Sequence, residues 1–277
     1  MFLWACDPNR GAILGDGFLN PFSNVSRRTN CVARDLFGEP DITVEMAGSF
    51  LRECDSFQLP IFSLLIFYGL RPSELTYAFR ESLTPDWLSI VCHPELSYFT
   101  KGRRDKRLPL LPPIRTMLRD SKQQKAGLLF QNRRVHEGKV TRRLIAADMP
   151  KLIAEYQALR TDSSLTKSRA KTLLLIEAGG LTYDYIQNEF KKIARKLDWP
   201  KAATLKDFRH LFNTEMQNAG MPEFYRRYLL GQSPGRSALV NYTHLNDLRR
   251  QYESAVENTF KPLLAVIECD DSRADQP

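Results

Sequence analysis

Apolar positions recur at helical spacing along most of this chain, and strand-like alternation replaces them only around residues 87–110. Thr43-Val44-Glu45 is a helix start with Thr43 as the cap, and the helical pattern runs on through Cys54. Pro60 then stands in the first turn of a second helix over 60–70. Ile61 to Leu70 is apolar apart from Ser63 and the closing Gly69, so this helix has no polar face and belongs at the centre of a core. Gly69 ends it and Arg71 emerges at its edge. Trp87–Cys92, Leu96–Thr100 and Arg107–Leu110 read as three short strands of a small antiparallel sheet, turned at His93-Pro94-Glu95 and at Gly102–Asp105.

Further helices are predicted from Pro112-Pro113 to Ser121, from Thr182 to Leu197 and from Leu248 to Ala265. In the 182–197 helix, Tyr185, Ile186, Phe190, Ile193 and Leu197 share the apolar face, and Lys191, Lys192, Arg195 and Lys196 line the other. Within 131–181, Leu144, Ile145, Met149, Leu152, Ile153, Tyr156 and Leu159 predict an amphipathic helix. Thr161–Lys171 reads as a loop, and Leu173–Glu177 as a short apolar element. Residues 1–40 are rich in Gly, Asn, Pro, Ser and Arg and read as an extended linker after a helix end at Met1–Ala5. Asp270–Pro277 reads as a disordered acidic tail. The fold class expected is mixed α+β, mainly helical, with one domain over 41–268.

Composition narrows the function. Forty Lys and Arg against 32 Asp and Glu leave a net charge of +8 in 277 residues, which leans toward a polyanionic partner. The five cysteines are scattered and form no C-x-x-C, so neither a disulfide framework nor a zinc site is expected. Cys92-His93 lacks the further ligands that a tetrahedral site needs. The N-terminal MFLWACDPNR has no basic n-region or long apolar core, and the longest apolar run is about half a membrane span. A soluble, cytoplasmic protein is expected.

The chemistry gathers in 204–244. Lys206 and Arg209 stand three apart, which in a helix puts both cations on one face. Leu230-Gly231-Gln232 is a helix stop, and Tyr242 follows in Asn241-Tyr242-Thr243-His244. Cations can hold phosphate oxygens while a phenol attacks phosphorus. The series K-x-x-R-H, L-G-Q-S, N-Y-T-H closely resembles the C-terminal signature of the tyrosine recombinases, or phage-type integrases. Upstream, Tyr68-Gly69-Leu70-Arg71-Pro72-Ser73-Glu74-Leu75 resembles that family's T-G-L-R-x-x-E-L. Thr100-Lys101-Gly102 through Arg107-Leu108-Pro109-Leu110 resembles its T-K-G…R-x-x-P-L hairpin. Three such blocks, in order and at plausible spacing, are far more specific than any one.

The resemblance implies a DNA strand-transfer enzyme that acts through a 3′-phosphotyrosyl intermediate, without metal or nucleotide cofactor. Arg71 and Arg209 would hold the non-bridging oxygens, Lys101 would protonate the leaving 5′ oxygen, and Tyr242 would be the nucleophile. Glu74 is expected to hold Arg71 in place. Lys206 occupies the H/K position, and Gln232 replaces the usual His or Trp but keeps an amide donor. His210 and His244 are read as structural. The basic hairpin residues Arg103, Arg104, Lys106 and Arg107, with Lys191, Lys192 and Arg195, are expected to touch the DNA backbone. The implied partners are double-stranded DNA and further copies of the chain, as a tetramer on paired sites with Leu248–Ala265 as the exchanged segment. Residues 1–40 would be the linker and remnant of a DNA-clamping domain, and 131–181 a packed insertion with a further DNA contact. The competing readings are a DNA-binding relic disabled at Gln232 and an RNA- or protein-binding helical module.

Overall fold

Thr43 caps α1 (Val44–Arg52), its Oγ1 accepting from the Met46 N–H at 3.2 Å. The computed structural model describes residues 42–120, 126–200, 203–232 and 245–274, all within the unit 40–277. The expectations for 1–40, for Tyr242 and His244 and for the last three residues lie outside the described residues.

The apolar run forms α2 (Gln58–Tyr68), in which only Pro60 is more than slightly exposed. Such a helix is stable only with partners on every side, and full burial contributes about 2 kcal/mol for each large apolar side chain. α1 and α9 (Leu205–Asn218) supply much of that surround, with α11 (Leu245–Thr259) packed on α9 and α12 (Lys261–Ala274) packed on α1. Phe50, Phe62, Phe190, Trp199 and Phe208 meet there in edge, tilted and stacked contacts at 4.9–6.4 Å between ring centroids. Tyr252 of α11 stacks on Tyr68 at 5.3 Å and donates to the Phe67 carbonyl at 2.8 Å, so α11 is fixed to the end of α2.

The short α3 (Pro72–Leu75) leads to a two-stranded antiparallel sheet of β1 (Trp87–Ile90) and β2 (Lys106–Pro109), paired Trp87 to Pro109 and Ile90 to Lys106. The expected middle strand at 96–100 does not form. Pro94–Leu96 is a 3₁₀ turn, and Ser97 follows it in the left-handed region (φ 52°), which breaks extended geometry. α4 (Pro112–Asp120) packs on α2 and α12.

Segment 131–181 holds α5 (Arg133–His136), α6 (Met149–Thr161) and α7 (Lys167–Glu177). The expected loop at 161–171 is half wrong: Thr166 caps α7, accepting from the Arg169 N–H. Leu144, Leu152, Tyr156, Ala170, Leu174 and Leu175 build a second core against Phe79 and Leu96. α8 (Tyr183–Lys196) starts at its Thr182 cap as expected. α10 (Glu223–Leu229) ends at Leu230. The single last helix predicted over 248–265 is two, α11 and α12, split at Phe260, and α12 continues to Ala274 through part of the predicted acidic tail. The overall class is therefore mainly helical with one small antiparallel sheet. Among the described residues no helix is long and apolar enough to cross a membrane.

Candidate functional site

Gly69 closes α2 in the left-handed conformation (φ 57°), and a Cβ there would stand 2.7 Å from Phe212 and 2.9 Å from Leu230. Only glycine fits both the backbone and the space. The turn it makes delivers Arg71. Because Arg71 precedes a proline it is held extended (φ −81°, ψ 142°). Its N–H donates to the Glu74 carboxylate at 2.9 Å, and its Nη1 lies 3.4 Å from the same group.

α10 ends in a tight C-terminal turn. The Gly231 N–H bonds back to the Tyr228 carbonyl and the Gln232 N–H to the Arg227 carbonyl, with Gly231 at φ 61°. The carbonyls of Leu229 and Leu230 are left outside the helical ladder, where a helix carries its partial negative charge. Three cations take them up. Arg209 donates from Nη2 to Leu230 and from Nη1 to the Gly69 carbonyl at 2.7 Å. Arg71 reaches the Leu230 carbonyl at 3.4 Å. Lys106 donates to the Leu229 carbonyl at 2.8 Å and to Glu74 at 3.0 Å.

Lys106 is the one expected DNA contact that the structure turns inward. The strand alternates, so Lys106 and Leu108 face the core and Arg107 faces out; Lys106 is 2% exposed. Burial, opposed by Glu74 and reinforced by Arg209 and Arg71, brings its pKa down to about 8. Burial and neighbouring Arg71 likewise lower Arg209, to about 10, which leaves it charged at neutral pH.

Arg71, Lys101, Lys206, Arg209 and Gln232 all line one open cleft of about 590 Å³. They come from four places: the start of α3, the 100–105 turn, α9 and the end of α10. Lys101 is set by that turn. The Thr100 hydroxyl both accepts from the Arg104 N–H and donates to the Arg104 carbonyl, and Gly102 and Arg103 take positive φ. Lys101, Lys206 and Gln232 are exposed, and the Arg71 side chain is 23% exposed. Among the described residues, both guanidiniums keep N–H groups with no protein partner.

Three lining residues were not foreseen. His210, expected to be a structural group, is exposed and lines the cleft, as do half-buried Asn213 and exposed Tyr183. The signal was present: 206, 209, 210 and 213 follow the i, i+3, i+4, i+7 pattern of one helix face. Arg103, Arg104 and Arg107 are exposed around the hairpin, and Arg103 lies over the Phe99 ring at 5.0 Å. Lys191, Lys192 and Arg195 are exposed on α8 but do not line the cleft; Lys192 pairs with Glu189. Among the described residues no group of three or more His, Cys, Asp or Glu is placed to hold a metal ion.

The arrangement suits a tetrahedral oxyanion. Two forked guanidinium donors meet at one carbonyl, with two further ammonium groups and an amide around the opening. No protein-family model matches this chain, and no curated protein matches it significantly.

Proposed function

We propose that the cleft binds a DNA phosphodiester and that the protein is a site-specific DNA strand-transfer enzyme of the tyrosine-recombinase type, with the catalytic-domain fold of that family. One observation carries the reading. Five positions singled out by three separate sequence blocks converge on one cleft. Unrelated surface cations would have no reason to do so.

On this reading Arg71 and Arg209 stabilise negative charge that grows on the non-bridging oxygens during attack. Their geometry is held in advance by Glu74 and by the Gly69 and Leu230 carbonyls, so little reorganisation is needed. Tyr242 attacks phosphorus and the bond to the 5′ oxygen breaks, leaving a 3′-phosphotyrosyl link. Lys101 protonates the departing oxygen. Lys206 and the Gln232 amide donate to the phosphate. A second 5′-hydroxyl then reverses the step on another strand. The reading calls for no metal, for duplex DNA and further copies of the chain as partners, and for work in the cytoplasm at the nucleoid.

The test is covalent trapping with nicked suicide DNA carrying sites from the genomic neighbourhood, resolved on denaturing gels. Wild type is expected to form an adduct that Tyr242→Phe does not. DNA binding without any adduct, even in Gln232→His, would favour the second reading, a DNA-binding relic; the exposed Gln232 at the family's histidine position supports it. DNA affinity is expected to fall steeply with salt through counterion release, and a flat response would count against both readings.

A further inference from the structure

Lys106 is the one lysine of the 101–107 basic run that cannot reach solvent; it stands behind the cleft lining, bonded to groups that also hold or adjoin the lining Arg71 and Arg209. Its ammonium touches two elements distant in sequence: Glu74 of α3 at 3.0 Å and the Leu229 carbonyl of α10 at 2.8 Å. Glu74 holds Arg71 through the backbone N–H and the guanidinium. Next to the Leu229 carbonyl, the Leu230 carbonyl holds Arg209 and Arg71. The strand that carries Lys106 also carries the Lys101 turn, and it is clamped once more where the Arg107 N–H donates to the Tyr228 hydroxyl at 2.9 Å. A Cβ on Gly102 would lie 3.7 Å from the Gly231 carbonyl, so the two turns stand side by side.

A methionine or leucine at this position would bury as well without a charge to desolvate, and a buried ion pair is a poor source of stability. What the charge adds is direction. We propose that Lys106 is a positioning residue, whose buried ammonium locks the Arg71–Glu74 helix start, the end of α10 and the Lys101 hairpin into one register. This rests on the phosphodiester reading for its purpose, though not for its geometry. The lock has a second consequence. Gln232 leaves directly from the turn that Lys106 holds, so its amide and the arginines are set from the same point.

The experiment compares wild type with Lys106→Met, Lys106→Arg and the double variant Glu74→Gln/Lys106→Met. The double variant removes both buried charges and keeps a folded protein available if Lys106→Met alone does not fold. The first readout is amide hydrogen exchange. Exchange at 229–232 and 71–75 is expected to speed up at least tenfold in Lys106→Met or the double variant, with α2 unchanged, and Lys106→Arg is expected to restore protection. The second is adduct formation on suicide DNA. The rate at saturating DNA is expected to fall at least tenfold while DNA affinity changes less than threefold, again with rescue by Lys106→Arg. Unchanged exchange at both segments in the double variant overturns the proposal. So does a wild-type adduct rate in the same variant. Altered exchange in a protein whose wild type forms no adduct keeps the register lock and instead removes the strand-transfer reading.

Discussion

The wall of the cleft and the layer built by 142–178 are both rich in arginine and lysine, but the wall cations and the layer's Arg142 and Arg143 treat their charges in opposite ways. In the wall Arg71 and Lys106 share a single carboxylate, Glu74, and the three cations Arg71, Lys106 and Arg209 rest on the carbonyls of Gly69, Leu229 and Leu230. In the layer these two arginines are matched singly, Arg143 by two bonds to Glu155 and Arg142 by Glu177 at 4.0 Å, while Arg160 and Lys171 donate to the Leu165 and Ser97 carbonyls. Carbonyl dipoles orient a cation without cancelling its charge, whereas a carboxylate cancels it. The wall therefore keeps a positive field for an incoming anion, and the Arg142–Arg143 corner of the layer keeps little. A count of basic residues cannot see this difference. Arg133, Arg134, Lys139, Arg142 and Arg143 make 131–181 basic in sequence, which is why a further DNA contact was expected there.

The largest effect should come from removing a wall cation that faces the cleft. Arg209→Ala deletes a donor held by two carbonyls, and the adduct rate at saturating DNA should fall by about 10²–10³-fold, or about 3–4 kcal/mol of transition-state stabilisation. Loss of less than about tenfold would mean that the Leu230 carbonyl, not the bound anion, is the main partner of this guanidinium.

Next is the turn that brings Arg71 to the wall. Gly69→Ala forces a side chain into positive φ and into Phe212 and Leu230, and should cost about 3 kcal/mol in urea unfolding. The same substitution at Gly220, where nothing lies within 4 Å of an added Cβ, keeps the backbone strain without the clash and should cost about 1–2 kcal/mol. Equal costs at the two sites would show that the close approach of Phe212 is readily relieved.

How much of this was legible in sequence depends on what each residue answers to. Arg71, Lys101, Lys206, Arg209 and Gln232 stand in recognisable blocks, and the structure brings them together although up to 161 positions separate them. Thr43 and Thr182 were readable as caps because capping is local chemistry. Lys106 was misread because a run of charge was weighed as a run. The period of two, with Leu108 inward, already turned it in. Pro262 was the unused sign that the last helix breaks, since proline has no N–H for the carbonyl four residues back and its ring clashes with that carbonyl. The Ser97 conformation and the second core under Phe79 had no local sign; both depend on packing between segments far apart in sequence.

A subtler effect is pH dependence confined to the wall. Lys106 is held near 8 in the folded protein against 10.5 for a free lysine, so between those values the unfolded chain binds more protons. This group's contribution to stability therefore rises with pH across about 8 to 10.5, by at most about 1.4 kcal/mol per pH unit, and is flat below that window. Subtracting the profile of Lys106→Met from that of wild type in urea melts isolates the term. A difference that falls with pH would mean the Glu74 contact outweighs burial and holds the ammonium charged.

The smallest expected effect is the sharpest check on the contrast itself. Arg143 is an exposed side chain in the layer, with 60% of it in contact with solvent, and its charge is already answered by Glu155. Exposed pairs of this kind contribute between nothing and about 1 kcal/mol. Arg143→Ala should therefore change stability by less than about 0.5 kcal/mol. If Glu155 cancels the charge of this guanidinium as the pairing implies, DNA affinity at moderate salt should change less than twofold, and the slope of log affinity against log salt should not move. Removing Glu155 instead frees the guanidinium: Glu155→Gln should raise DNA affinity only if the layer lies along the duplex. A tenfold loss in Arg143→Ala, with a salt slope smaller by about one, would mean that DNA displaces Glu155. Both regions would then be phosphate-binding, and they would differ in whether the positive charge stands ready or is released by the ligand.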